Sequence, residues 1–223
     1  MISTYSSNSN LVKLNFKLFN IHANSPFTII SIFLFSKSIL YLVNNTNSTF
    51  TTAANYAVTI SDTVSATVAN TIVNDTTGIV TATVTEATAA SLNSALANAS
   101  STDALTLTLT DTALASADDL IALDGKTSVA VNATSVTSVT DTYADINTLY
   151  GLSGISGLGN EAVTISDETS AVNINGILSK TSGVVTATVT SDTAASLNSA
   201  LTNATSTDAL TLTINDTTLT SVS

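Results

Sequence analysis

From Leu105 to Thr110, leucine and threonine alternate strictly, so that Leu105, Leu107 and Leu109 point one way and the threonines the other. A period of two marks a β-strand with one buried face, and β-branched threonine suits the open face. Val80, Ala82 and Val84 alternate with threonine in the same manner. Strand-like runs begin near Val58, Ile79, Leu105, Val129, Val163, Val184 and Leu210, between 21 and 34 residues apart. Between them the period changes. Ala89, Leu92, Leu96 and Ala99 are spaced i, i+3, i+7, i+10, one face of a short helix. Ser116-x-x-Asp119 precedes Leu120 and Leu123, and Thr142-x-x-Asp145 precedes Ile146, Leu149 and Tyr150. Both have capping-box spacing, with Asp in place of Glu. Gly78, Gly125, Gly151 and Gly183 stand where a helix would end on a left-handed residue. The predicted unit is strand, capped helix, glycine, strand.

The units are written twice. Ala57-Val-Thr-Ile-Ser-Asp62 recurs as Ala162 to Asp167, and Val80-Thr-Ala-Thr-Val-Thr85 as Val185 to Thr190. Thr88 to Leu96 recurs as Thr193 to Leu201, and Ser101 to Thr108 as Ser206 to Thr213. At an offset of 105, 41 of 63 positions in residues 56–118 match residues 161–223 without a gap. This divides the chain into an N-terminal segment 1–55, a first 105-residue repeat 56–160 and a second repeat 161–223 that stops in mid-copy. The expectation is a piece of a longer array. Strands separated by short helices pair in parallel through helical crossovers. The predicted fold class is therefore α/β: a repetitive βα solenoid with a parallel sheet and short capped helices. The alternative is a row of tandem β-sandwich-like domains of about 100 residues each.

Composition sharpens the boundary near residue 55. All six Phe lie at or before Phe50, and no Asp or Glu precedes Asp62, so residues 1–55 carry +3 and residues 56–223 carry −14, for a net −11. Phe27–Val43 is apolar but interrupted by Lys37, a marginal membrane segment or secretory leader. A disordered tail and an extension foreign to the repeat are the other readings of 1–55. With five lysines, no arginine and sixteen acids, the chain lacks the cationic surface that phosphate backbones require, which argues against a nucleic-acid partner. The absence of Cys excludes disulfides and thiolate chemistry, and the single His22 lies outside the repeat.

Little in the repeat points to catalysis. Gly157-Leu-Gly159-Asn-Glu-Ala162 matches a G-x-G-x-x-A dinucleotide fingerprint, but it precedes a strand instead of opening a helix, so a turn between units is expected. A Ser-Lys dyad would need Lys126 or Lys180 buried beside a serine. No catalytic, cofactor or metal residues are assigned, and the chain is expected not to be an enzyme. Asp62, Asp111, Asp118, Asp119, Asp141, Asp145, Asp167, Asp192 and Asp216 recur with the repeat without any calcium-loop pattern. They are read as caps at helix starts, with calcium at turns between units as the alternative. The surface candidate is the threonine face of the sheet: Thr81, Thr83, Thr106 and Thr108 in the first copy, and Thr186, Thr188, Thr211 and Thr213 in the second. Regular T-x-T pairs can form flat arrays that bind glycan or ice.

Gly154-Ile-Ser-Gly-Leu-Gly-Asn-Glu-Ala-Val-Thr-Ile-Ser-Asp167, Ala122-Leu-Asp-Gly-Lys-Thr127 and Asp141-Thr-Tyr-Ala-Asp-Ile-Asn147 resemble the repeat units of the very large Thr-rich cell-surface proteins of marine cyanobacteria. The resemblance covers residues 56–223 and none of 1–55. It implies a secreted or surface-attached, non-enzymatic segment acting as spacer, adhesive stalk or envelope layer. Its partners would be neighbouring repeats of a longer array and a glycan or cell-envelope surface.

Overall fold

A computed structural model describes residues 55–217 together with a two-residue strand at Ile30–Ser31. Apart from that strand, the apolar stretch Phe27–Val43 lies outside the described residues. Among the described residues, no helix is long and apolar enough to cross a membrane.

Strands and helices alternate along the chain. β1 (Ile30–Ser31) and β2 (Val58–Val64) are followed by α1 (Ala66–Asp75), β3 (Val80–Val84), α2 (Ala89–Ala95), β4 (Ala104–Thr106), β5 (Ala113–Leu114) and α3 (Asp118–Asp124). Then come β6 (Val131–Asn132), β7 (Ser138–Asp141), α4 (Tyr143–Gly151), β8 (Ile155–Ser156), β9 (Ala162–Thr169), α5 (Ala171–Leu178), β10 (Val185–Val189), α6 (Ala194–Ala200) and β11 (Ala209–Thr211). The sheets run β1-β2-β3-β4, β11-β10-β9-β7-β5 and β6-β8. Every pairing described is parallel. The fold is thus α/β with parallel sheets, and the antiparallel sheets that the β-sandwich alternative requires are not those of the described residues.

From β2 onward, each strand pairs with the next unit along the chain. Val58 lies opposite Val80, Thr81 opposite Ala104, Ser138 opposite Ala162, Val163 opposite Val185 and Thr186 opposite Ala209. The isolated bridge Thr108–Asn132 and the β6–β8 pair carry the same relation through the middle of the chain. Each helix likewise contacts the next, from α1 on α2 to α5 on α6. Helices of seven to ten residues are marginal alone, so their stability comes from this packing.

The alternating pattern sorts the side chains as expected. In β3, Val80, Ala82 and Val84 are buried and Thr81 and Thr83 exposed, and β10 repeats the arrangement. Leu105, Leu107 and Leu109 join them in one continuous apolar core that runs from Val58 to Leu197. Leu92, Leu96, Leu120, Leu123, Ile146, Leu149, Ile174 and Ile177 close the core from the helix side.

Two features of the helix ends differ from the expectation. Thr142 does cap α4, its Oγ1 accepting from the Asp145 N–H at 3.3 Å, but Asp145 answers through its carboxylate to the Thr142 hydroxyl at 2.5 Å. Ser116 stands one residue too early to cap α3: its Oγ accepts from the Asp118 N–H, while Ala117 is the N-cap. The glycines do not terminate helices in the left-handed region either. Gly125 is right-handed, and the positive-φ glycines among the described residues are Gly157 (φ 91°) and Gly159 (φ 124°). Gly78 and Gly183 are required by close approach instead. A Cβ there would collide with the backbone carbonyl of Tyr56 or Glu161, which belongs to the adjacent strand segment.

Candidate functional site

The threonine face forms where successive strands lie side by side. Thr83 pairs with Thr63 on one side and Thr106 on the other, a row of three exposed threonines from three units. Thr81 lies between Thr59 and Ala104. In the second copy, Thr186 lies between Thr164 and Ala209, with Thr140 beyond Thr164, and Thr188 lies between Glu168 and Thr211. Of the eight predicted residues, Thr81, Thr83, Thr106, Thr186, Thr188, Thr211 and Thr213 are exposed. Thr108 is half-buried and bridges to Asn132, which takes it out of the open row. Sequence reasoning missed Thr59, Thr63, Thr140 and Thr164, although the alternation Val58-Thr-Ile60 and its copy Val163-Thr-Ile165 carried the signal for Thr59 and Thr164.

Adjacent strands place such hydroxyl and methyl groups about 4.8 Å apart, a spacing suited to ordered water or sugar hydroxyls. The lattice is short. Between Thr59 and Thr63 the chain holds three residues opposite the single Ala82, and between Thr164 and Glu168 three opposite Ala187. These bulges fall on Ile-Ser-Asp in both copies, Ile60 to Asp62 and Ile165 to Asp167. Ala104, Ala209 and Glu168 interrupt the rows further.

The bulge in β9 has a structural use. Asp167 Oδ1 accepts from the Tyr143 N–H at 2.6 Å, at the start of a helix 24 residues earlier. Asp111 does the same for Ala89 (2.7 Å), Asp141 for Ala117 (2.7 Å) and Asp216 for Ala194 (2.8 Å). Four of the nine recurrent acids, Asp111, Asp141, Asp167 and Asp216, therefore cap helices, and those helices belong to the preceding unit; Asp192 instead accepts from the Thr193 N–H at the start of its own helix, and Asp119 from the Asn93 side chain. Asp141 serves both sides: Oδ2 also accepts from the Ser116 hydroxyl, and Oδ1 from the N–H of Thr142 on its own helix. Burial pushes the Asp141 carboxyl up, yet the amides of Ala117 and Thr142 and the Ser116 hydroxyl outweigh it and hold the group below its ordinary value.

A second acid series escaped the sequence reading. Asp103 is buried, its Oδ1 accepting from the Val80 N–H at 3.1 Å and its Oδ2 from the Ser100 N–H at 3.0 Å. Asp208 repeats this with Val185 at 2.9 Å and Thr205 at 2.8 Å. Burial raises the Asp208 carboxyl, but those two amides and the Thr205 hydroxyl bring it below its ordinary value. The signal was the hydroxyl three residues before each acid, in Ser100-x-x-Asp103 and Thr205-x-x-Asp208.

The remaining candidates resolve into structural contacts. The glycine fingerprint is a turn between β8 and β9, with positive φ at both glycines and Glu161 folded back beneath it. Glu161 is fully buried: Oε2 accepts from the Gly159 N–H (2.7 Å) and the Asn160 N–H (3.0 Å), and Oε1 from the Tyr150 hydroxyl. Burial and the adjacent carboxylate push the Tyr150 phenol far above its ordinary value. Lys126 Nζ donates to the Leu96 carbonyl at 3.0 Å, and Lys180 is exposed after the end of α5. Asp118, Asp141 and Asp145 bring carboxylate oxygens within 4.8 Å of one another, which among the described residues is where a hard cation such as calcium would find several oxygens. Two of the three are already engaged by Ala117, Ser116 and Thr142.

Comparison of the chain with protein-family models, curated proteins and solved structures finds no match.

Proposed function

We propose that residues 56–223 are a βα solenoid and act as a non-enzymatic structural repeat segment of a secreted or cell-surface protein, a spacer, adhesive stalk or envelope layer. The observation that carries this reading is the pairing rule. Parallel contacts join residues 20 to 25 positions apart in consecutive units, and one apolar core runs through all of them. An assembly built this way grows by addition of units and has length as its main property. The likeness of the repeat strings to Thr-rich surface repeats of marine cyanobacteria supports the location. Two measurements test the proposal. Small-angle scattering of the chain, and of a version carrying an inserted extra 105-residue copy, should give a maximum dimension that rises in proportion to the added units. A compact particle of unchanged aspect ratio would sink the solenoid. Protease shaving of intact cells producing the protein should remove the repeat, and full protection would sink the surface location.

A second reading is favoured by the aligned threonines Thr63, Thr83 and Thr106, and Thr140, Thr164 and Thr186. On it, the open sheet face binds glycan or ice. Glycan-array and ice-recrystallisation assays with the chain and with a Thr83→Glu, Thr186→Glu variant test it. Signal in neither assay eliminates this reading and leaves the scaffold.

A further inference from the structure

The two copies of the repeat carry the same residues in different surroundings. Leu107 is 0% exposed and Leu109 2%, whereas their counterparts Leu212 and Ile214 are 47% and 56% exposed. Leu96 and Leu105 are fully buried, while their counterparts Leu201 and Leu210 are only partly so. Together with Leu197, these residues line a groove of ≈ 400 Å³ on the side of β11 and α6 that faces away from β10.

The first copy displays what covers such a face. The Thr127 hydroxyl accepts from the Leu105 N–H at 3.0 Å and donates to the Leu105 carbonyl at 2.7 Å. The Asn132 backbone takes the Leu109 N–H and gives its own N–H to the Leu107 carbonyl, both at 2.9 Å. The Ser135 hydroxyl donates to the Leu109 carbonyl at 2.9 Å, and Lys126 to that of Leu96. Asn93 Nδ2 donates to Asp119 Oδ1 at 2.7 Å, on α3. Among the described residues, nothing takes these places beside Asn198, Leu201, Leu210, Leu212 and Ile214.

We propose that this face docks a further βα unit of the kind formed by residues 119–135, arriving parallel to β11. The occupant is defined by chemistry. It presents a short helix with an acid for Asn198, a lysine for the Leu201 carbonyl, and a hydroxyl residue that both donates to and accepts from the Leu210 backbone. A strand then supplies one N–H and one C=O to Leu212 and Ile214. The face repeats an interface already present four units earlier, between the equivalent positions, with Leu109 in place of Ile214, and such a unit. This inference rests on the repeat-scaffold reading and names the partner of the unit formed by α6 and β11.

Hydrogen exchange tests it with an internal control. The full chain is compared with a version in which residues 119–160 of its own sequence are joined after Ser223. The Leu210 and Ile214 amides should slow by about 100-fold or more, towards the rates of Leu105 and Leu109 in the same molecule. Leu212→Asp in the extended chain should abolish the slowing while Leu105 and Leu109 stay protected. Unchanged Leu210 and Ile214 rates beside a protected Leu105 and Leu109 would overturn the docking proposal alone. Fast exchange at Leu105 and Leu109 would overturn it together with the scaffold reading. Protection of Leu210 and Ile214 in the unextended chain that rises with protein concentration would make the occupant a second copy, and would also overturn it.

Discussion

Alanine in place of Leu107 and of Leu212 makes the same chemical change at equivalent positions, yet the structure gives the two changes different consequences. Leu107 is 0% exposed and sits between the β4 region and the unit that follows. Replacing its isobutyl group by a methyl opens a cavity lined by neighbours that cannot all move in, at a cost of about 2–5 kcal/mol. Leu212 is already 47% exposed. Only about half of its burial, roughly 1 kcal/mol, is lost, and water fills the space. The expected difference is about 1–4 kcal/mol in favour of the Leu212 variant. With a urea dependence of about 1–3 kcal/mol per molar, that separates the midpoints by about 0.3 M or more. Urea unfolding followed by far-ultraviolet circular dichroism reads it. Hydrogen exchange on the same samples establishes whether the units unfold together, which repeat chains need not do. Equal losses at the two positions would refute the reasoning, because the position of a unit in the stack would then not decide its burial.

Asp111→Ala should destabilise by about 1 kcal/mol and accelerate exchange at the Ala89 amide, in the preceding unit; acceleration confined to α3 would contradict the cross-unit cap. Asp141 and Asp208 have folded carboxyls below their ordinary values, so their stabilisation is complete above the unfolded value and is lost as pH falls through the lower folded one. The melting temperature should therefore decline below about pH 4, and Asp141→Asn with Asp208→Asn should flatten that decline; an equally steep acid limb in the double variant would count against it. Gly183→Ala forces a Cβ into the Glu161 carbonyl and should cost about 1–3 kcal/mol. Gly176→Ala, in α5 with open space around it, should stabilise by about 0.8–1.0 kcal/mol, and opposite signs in thermal melts would reject both statements. Millimolar calcium should leave the calorimetric midpoint unchanged, because hydrogen bonds already hold Asp141 and Asp145; a rise that Asp145→Asn removes would show otherwise.

Local pattern was enough to place the long elements. The runs read near Val58, Ile79, Leu105, Val163, Val184 and Leu210 became β2, β3, β4, β9, β10 and β11, each starting within a residue or so of its reading. The run near Val129 became only the two-residue β6. β5, β7 and β8 left no such trace. They are two to four residues long (Ala-Leu, Ser-Val-Thr-Asp and Ile-Ser), too short to show a period, and become strands because a neighbouring unit offers an edge. The caps were half legible. An acid near a helix start is a good sign of capping, but nothing local says that Asp167 reaches Tyr143 instead of its own helix. Gly78 and Gly183 were found for the wrong reason. Their position after a helix suggested a left-handed terminus, whereas the requirement comes from the Tyr56 and Glu161 carbonyls, 22 residues earlier in each case. No pattern could separate Leu107 from Leu212, which occupy matching positions in an identical string.

These failures share a cause, and it bears on how the assembly holds together. The caps from Asp111, Asp141, Asp167 and Asp216, the Asp103 and Asp208 contacts, and the Thr127 contact each tie a unit to the one after it in the chain. A unit therefore supplies groups to the helix or strand behind it and receives its own from the unit ahead. Helices this short are unstable alone, and losing an N-terminal acceptor removes about 1 kcal/mol more, so a unit without its successor is weakened in both packing and capping. Stability along the chain should therefore be directional. Units near β2 to α4 have successors in place, while among the described residues α6 keeps its cap from Asp216 but α6 and β11 show none of the contacts that Leu96, Leu105 and Leu109 enjoy. Among the described residues, fraying is expected to start at β11, where Leu212 and Ile214 are exposed, and to advance towards the centre.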